Sequence, residues 1–346
     1  MRQALCALVV FALSLTACTS DAPMRTAAVA ARPSAAGEQQ PSSPPPPPVA
    51  PLTGLRIEGD TPLPPVMAVK IDNAPAAVPQ QGLDLAEVVF EEEVEGGITR
   101  FIALYQSSRP GAIGPVRSGR EVDAELLPPF SPVLGISGAA GPVMRQFDKA
   151  KIRWLEETSG GPSDPFYRVP DRTSPHDLFV HTHALLAAGK GTEAIQEPVF
   201  AFDARPPTGG RAIQAVDLEF SPSSEVRWEW SGDAWQRLQN ASPHQTVAGN
   251  GLTADNVVVM RVRSRPGDRT DSIGNPTLEL DVIGDGQATV LRDGRAYPAG
   301  WRKATADDHI QWTTPQGDPL ALRPGRTWIE VLKTSSSLRL DRPGRG

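Results

Sequence analysis

LAEVVFEEEVEGGITRFIALYQ, residues 85–106, holds two strand-like runs on either side of a Gly-Gly pair. Successive side chains of a strand point to opposite faces, and paired glycines accept the positive φ of a tight turn. The stretch is expected to fold as a β-hairpin with Gly96-Gly97 as a two-residue turn, which excludes a purely parallel sheet. In that register Glu95 faces Ile98, Val94 faces Thr99 and Glu93 faces Arg100. Val88, Phe90, Glu92 and Val94 then share one face, and Glu91, Glu93 and Glu95 share the other with Arg100. Three carboxylates at alternate positions read either as a solvated hairpin face or as an acidic wall whose members raise one another's pKa.

Strands are expected at 66–72 (VMAVKID) and 132–137 (PVLGIS), and helices at 118–127, 142–150 and 182–190. This mixture implies an N-terminal α/β domain with a mixed sheet, residues 52–205. Beyond the Pro-Gly segment ARPPTGGR (204–211) the texture changes. AVDLEF (215–220), VRWEW (226–230), NVVVMRV (256–262), QATVLRDG (287–294) and TWIEVL (327–332) are short period-2 runs between Gly, Pro, Asn and Asp. They imply a smaller β-rich domain over 210–334, giving an α+β chain overall, with 335–346 as a disordered tail.

The N-terminus reads as an export signal, residues 1–17: Arg2, an apolar run from Ala4 to Ala17, then small residues. Leu15-Thr16-Ala17-Cys18 matches a bacterial lipobox, with Cys18 as the acylated new N-terminus; the alternative is an ordinary signal with a chance cysteine. Residues 18–51 form a linker closing in PSSPPPPPVA, which buries little and favours an extended stalk. The expected place is extracytoplasmic, anchored to the membrane by the lipid. Cys6 and Cys18 are the two cysteines, so the body has no disulfide, thiol nucleophile or cysteine metal ligand. A net charge of −6 argues against nucleic acid as a partner.

Chemistry concentrates in three other places. Ser118-Gly119-Arg120-Glu121 fits a capping box, and Arg117 and Arg120 beside that helix start read as an anion or sugar-acid subsite. Asp171, Arg172, His176 and Asp177 surround Ser174-Pro175 in a loop able to present polar groups, with His176 as proton carrier. Asp72 ends its strand, where sites in α/β sheets gather. His181 and His183 form H-x-H without an obvious third ligand, so no metal is expected. GISGA around Ser137 lacks the last glycine of a nucleophile elbow. No phosphate loop or dinucleotide fingerprint is present, and no cofactor is expected.

VMAVKIDNAPAAVPQQGLDLAEVVFEEEVEGGITRFIALYQS, GAIGPVRSGR and YRVPDRTSPHDLF resemble the N-terminal domain of the YerB-like bacterial lipoproteins. LTADNVVVMRV and LRPGRTWIEVL resemble their C-terminal domain, so the resemblance covers most of residues 60–335. It implies a two-domain lipoprotein and supplies no reaction, both domains being classed as of unknown function. The shared motifs fall on Lys70 to Asn73, Val94 to Phe101 and Gly114 to Ser118, with Arg120 following. Thr173, Ser174 and Asp177 depart from the family pattern, as does GISGAA. His176 lies inside a shared motif.

Two functions compete. One is a non-catalytic envelope lipoprotein that binds a cell-wall glycan, a peptide or a protein partner; the sequence favours it. The other is a wall-directed hydrolase using Glu95, Asp171 and His176. In either case Asp72, Asn73, Arg100, Arg117, Ser118, Arg120 and Arg172 are expected to line one mixed-charge cleft, because isolated buried charges are costly and tend to converge.

Overall fold

The computed structural model describes residues 48–59, 62–157, 164–271 and 274–342; Cys18 and most of the linker lie outside them. Its main sheet has eleven strands. The N-terminal half supplies β1 (Met67–Asp72), β2 (Val88–Glu93), β3 (Thr99–Tyr105), β4 (Val133–Ile136) and β5 (Arg153–Glu156). The C-terminal half supplies β6 (Arg211–Ala212), β7 (Asn256–Val262), β8 (Gly284–Arg292), β9 (Arg295–Lys303), β10 (Gln311–Thr313) and β11 (Thr327–Lys333). Their order is β10-β9-β8-β7-β11-β2-β3-β1-β4-β5, with β6 against β9. The hairpin β2-β3 is antiparallel, while β2-β11, β7-β11, β1-β4 and β4-β5 are parallel, so the sheet is mixed.

Strands buried on both faces need near-continuous apolar runs rather than alternation. MAVKID, FIALY, VVVM and WIEVL are such runs, and every residue of β1 and β3 is buried. One face packs on Phe90, Ile102, Phe130, Phe147 and Ile329. The other packs on Phe101, Trp228, Trp235 and Trp328. Over that second face lies a further sheet built around Ala215–Ser221, Ser224–Trp230 and Trp235–Gln239, which contributes Val216, Leu218, Phe220 and Trp228 to the core.

Four expectations change. The chain is α+β with a mixed sheet, but its N-terminal half is poorer in helix than an α/β domain: α1 (Asp123–Leu126), α2 (Gly141–Lys149) and α3 (Thr182–Ala188) are short. The helix expected over 118–127 shrinks to α1, with no helix over 118–122. Arg117 N donates to Lys70 O and Gly119 N to Gly138 O, which ties this stretch to β1 and to the loop after β4. Within the expected tail, Ser337–Asp341 is a strand that pairs with Ala215–Glu219, its Leu338 and Leu340 turned onto the core. Finally, one sheet runs across the expected 205–210 boundary: the C-terminal strands lie together on one side, the N-terminal strands on the other, and the β2-β11 pair joins them.

The hairpin itself forms one residue out of the expected register. Glu95–Gly97 make a turn of 3-10 helix, with Gly96 and Gly97 both at φ +74° and Val94 N donating to Ile98 O. Glu93 therefore opposes Thr99, and Glu92 opposes Arg100. The faces of β2 are as expected, but Arg100 belongs with Glu92 rather than with Glu91 and Glu93.

Candidate functional site

The end of β1 and the start of β3 meet at Asp72 and Arg100, which are register partners. Two further segments cover this point. Residues 114–120 run along β1, held by the Arg117 N to Lys70 O bond and by Val116 N donating 2.7 Å to Leu178 O. The loop ending at Leu178 is thereby carried over the same strand end. Fully buried Asp72 receives both segments: its Oδ2 lies 3.0 Å from Arg117 Nε and 2.7 Å from His176 Nδ1. A carboxylate only accepts, so Nδ1 of His176 is the donor.

Beside this group, Arg120 grips Glu95 through Nε at 2.9 Å and Nη2 at 2.6 Å. Burial pushes the Glu95 carboxyl up, but the Arg120 bonds and charge outweigh it and hold it below the usual range. Arg100 differs from the other two arginines. Among the described residues no carboxylate forms an ion pair with it; Nη1 donates 3.3 Å to Ser118 O, and Nε is buried without a hydrogen-bond partner. Burial, followed by the neighbouring Arg120 and Arg117 charges, lowers its pKa to about 10. The side chains of Arg117, Arg120 and His176 reach solvent, whereas Asp72 and Arg100 close the floor.

Under the floor lies a charged group that sequence reasoning missed. Lys70 Nζ bonds both Glu92 and Asp123, the latter at 2.7 Å, with all three side chains fully buried. Burial and the nearby Asp123 raise Glu92 to about 7 against the lowering pull of Lys70. Its Oε2 is buried with no partner. The signal was a lysine inside the otherwise apolar run VMAVKID, since an unpaired lysine does not survive such burial.

Most of the expected site residues converge: Asp72, Glu95, Arg100, Arg117, Ser118, Arg120 and His176 surround one strand end. Three do not belong. Asn73 is buried on the opposite face, donating 2.7 Å to Thr99 Oγ1. Arg172 is spent on the carbonyls of Ala77 and Pro79 at 2.9 and 2.5 Å and on the Phe179 ring. Asp171 is exposed, and the carboxylate at His176 is Asp72 instead. Ser118 is no helix cap; its Oγ lies 3.3 Å from Ser137 Oγ. His181 ends a strand and stacks on Tyr167 while His183 sits in α3, so the two do not share a strand face. Among the described residues no group of three His, Cys, Asp or Glu is arranged to hold a metal. Cavities of about 630 and 930 Å³ are lined by other residues. The expected cleft residues present a charged surface over a buried arginine.

On the opposite face Glu91 enters a second, fully buried network. Arg237 Nη2 donates 2.6 Å to Glu91 Oε2, and Arg237 Nη1 donates to His244 Nδ1, whose Nε2 lies 2.7 Å from Gln80 Oε1. Burial and then Arg237 hold His244 neutral, well below its ordinary pKa. Glu330, next to Glu91 across β2-β11, is pushed well up by burial and by Glu91, and accepts 2.6 Å from Trp228 Nε1. The Arg237 guanidinium lies 5.3 Å from the ring centroids of both Phe101 and Trp328. This network joins the halves of the chain.

A mixed sheet threaded by both halves, with a cluster of ion pairs at one set of strand ends, defines a two-segment α+β protein. The chain belongs to the family described as "Protein of unknown function (DUF3048)": the N-terminal domain matches residues 52–195 and the C-terminal domain residues 216–329. It is similar to "Putative lipoprotein YerB" of Bacillus subtilis (strain 168), 25% identical over 292 residues, 82% of this chain and 86% of that one. The crystal structure of YerB from Bacillus subtilis has the same fold, with a TM-score of 0.72 at 24% identity, covering 84% of this chain and 99% of that one.

Proposed function

We propose that this chain is an exported lipoprotein, acylated at Cys18, whose body binds an anionic component of the cell envelope at the Asp72–Arg100–Arg117 surface. The carrying observation is Arg100, a buried guanidinium with an unpartnered Nε and, among the described residues, no carboxylate ion pair, beside the partly exposed Arg117 and Arg120. Leaving such a donor without an acceptor costs about 1–3 kcal/mol, which an incoming oxyanion would recover. The lipobox, the proline-rich stalk and the name of the Bacillus relative support the anchored setting. The test is sedimentation of the detergent-solubilised full chain with purified wall material. Wild type should co-sediment and Arg100→Gln should lose most of that binding; equal retention of both would refute the assignment.

A second reading, wall hydrolysis, is favoured by one observation: buried Asp72 orients the His176 ring through Nδ1, as a carboxylate holds a catalytic histidine. No nucleophile is paired with Nε2 among the described residues. Soluble fragments released by wild type but not by His176→Gln would establish it, and intact wall material after prolonged incubation would exclude it.

A further inference from the structure

We infer that the surface over Arg100 takes one oxyanion, a carboxylate or a phosphoryl group, and that Glu92 beneath it takes up one proton as the anion binds. The inference rests on the binding reading above and adds how that binding is regulated.

The cluster is electrically closed. Lys70, Arg100, Arg117 and Arg120 stand against Asp72, Glu92, Glu95 and Asp123, four cations and four carboxylates, linked by the ion pairs described. An anion docking on Arg100 leaves the group one negative charge in excess. The buried carboxylates beneath, Asp72, Glu92 and Asp123, feel that excess in apolar surroundings, and the usual relief is protonation of one of them. The oxygens decide which one. Asp72 Oδ1 accepts from Ala74 N, and Oδ2 faces Arg117 and His176. Asp123 Oδ1 accepts from Lys70, and Oδ2 accepts 2.8 Å from Arg120 N. Glu95 is held by two bonds from Arg120. Glu92 alone of the four has a buried oxygen, Oε2, with no partner, where a proton displaces no bond.

The groups facing Glu92 support this choice. Lys70 from β1 and Arg120 favour its charge, Asp123 from α1 opposes it, and burial opposes it most. Arg100 is its register partner on β3, and Val331 on β11 brings no charge. His176 hydrogen-bonds Asp72 through Nδ1, and the two variants below separate it from Glu92.

The sign follows. A bound anion raises the Glu92 pKa further, so binding and protonation assist each other. Affinity is greatest at low pH and falls above about pH 7, by up to about tenfold per pH unit for one proton.

The test is calorimetric titration of the detergent-solubilised full chain with inorganic phosphate and with glucuronate, from pH 6 to 9. Two buffers of different ionisation heat report protons taken up. Whichever probe binds identifies the oxyanion class. Wild type should take up about one proton at pH 8. Glu92→Gln should abolish the uptake and flatten the pH dependence, and His176→Gln should keep both. Binding without proton uptake by the wild type overturns the inference and leaves the binding reading standing; that measurement needs no variant to fold. Uptake lost in His176→Gln but kept in Glu92→Gln also overturns it. Binding of neither probe at any pH overturns the inference and the binding reading together.

Discussion

Replacing Arg237 by Met removes the guanidinium that meets Glu91 in the joint between the two halves. Both side chains are fully buried. Methionine fills much of the volume between Phe101 and Trp328 but leaves the carboxylate without its cation. Glu91 must then stay charged in apolar surroundings or take a proton. For an ordinary glutamate of pKa about 4.3, taking a proton at pH 7 costs about 2.7 units at 1.36 kcal/mol each, or about 3.7 kcal/mol. The lost contacts with two aromatic faces add about 0.5–2 kcal/mol, and the guanidinium desolvation that is no longer needed subtracts from the total. We expect a net destabilisation of about 3–5 kcal/mol at pH 7. It should shrink as pH falls toward 5, because there the proton comes more cheaply; relative to wild type, the variant gains on acidification. Urea denaturation followed by tryptophan fluorescence suits the measurement, since Trp228 and Trp328 border the network. A further Glu91→Gln change should restore part of the loss. A loss below about 1 kcal/mol with no pH dependence would refute the reasoning.

Three other outcomes follow from the same geometry. Cys18→Ala should move the protein from the detergent phase to the aqueous phase on Triton X-114 partition; unchanged partition would rule out the lipid anchor. Protease cleavage within 204–210 should leave fragments that co-elute on gel filtration, because the pairing of β2 with β11 survives the cut; separation under native conditions would contradict the shared sheet. Gly119→Ala places a Cβ 2.8 Å from the Phe147 ring, so it should cost about 1–3 kcal/mol and shift Arg117 and Arg120, lowering anion affinity as well as the urea midpoint. Wild-type stability and affinity in that variant would show that the 117–120 segment yields freely.

The hairpin, the apolar strands β1, β4, β7 and β11, and the helices α2 and α3 were legible because each carries its own local period. Register was not: it depended on whether Gly96-Gly97 made a two-residue turn or closed a helical one, and one residue sufficed to move Arg100 between faces. Strand β5, RWLE, has too few residues to show a pattern. The pairing of β2 with β11 lies beyond local reasoning, since its partners come from opposite ends of the chain. At the candidate site, charge in excess of local need picked out Asp72, Glu95, Arg100, Arg117, Arg120 and His176, which the structure brings to one strand end. The same criterion could not separate them from Arg172, whose needs are carbonyl oxygens, or from Asn73, which the pleat turns to the other face.

The parallel seam between β2 and β11 also sets an order of events. A chain made from its N-terminus completes the β2-β3 hairpin long before Thr327–Lys333 exists. For that interval β2 is the unprotected margin of a half-built sheet, and such margins recruit stray strands. Three consecutive glutamates, Glu91 to Glu93, then lie along it without Arg237 or Lys333. A neighbouring nascent chain would have to desolvate Glu91 and Glu93 without their cations to pair there, Glu92 alone having Lys70 at hand. The legitimate partner brings Lys333 on its own strand, and Arg237 has already been made, so the run of like charge guards the margin against every strand except the one that completes it.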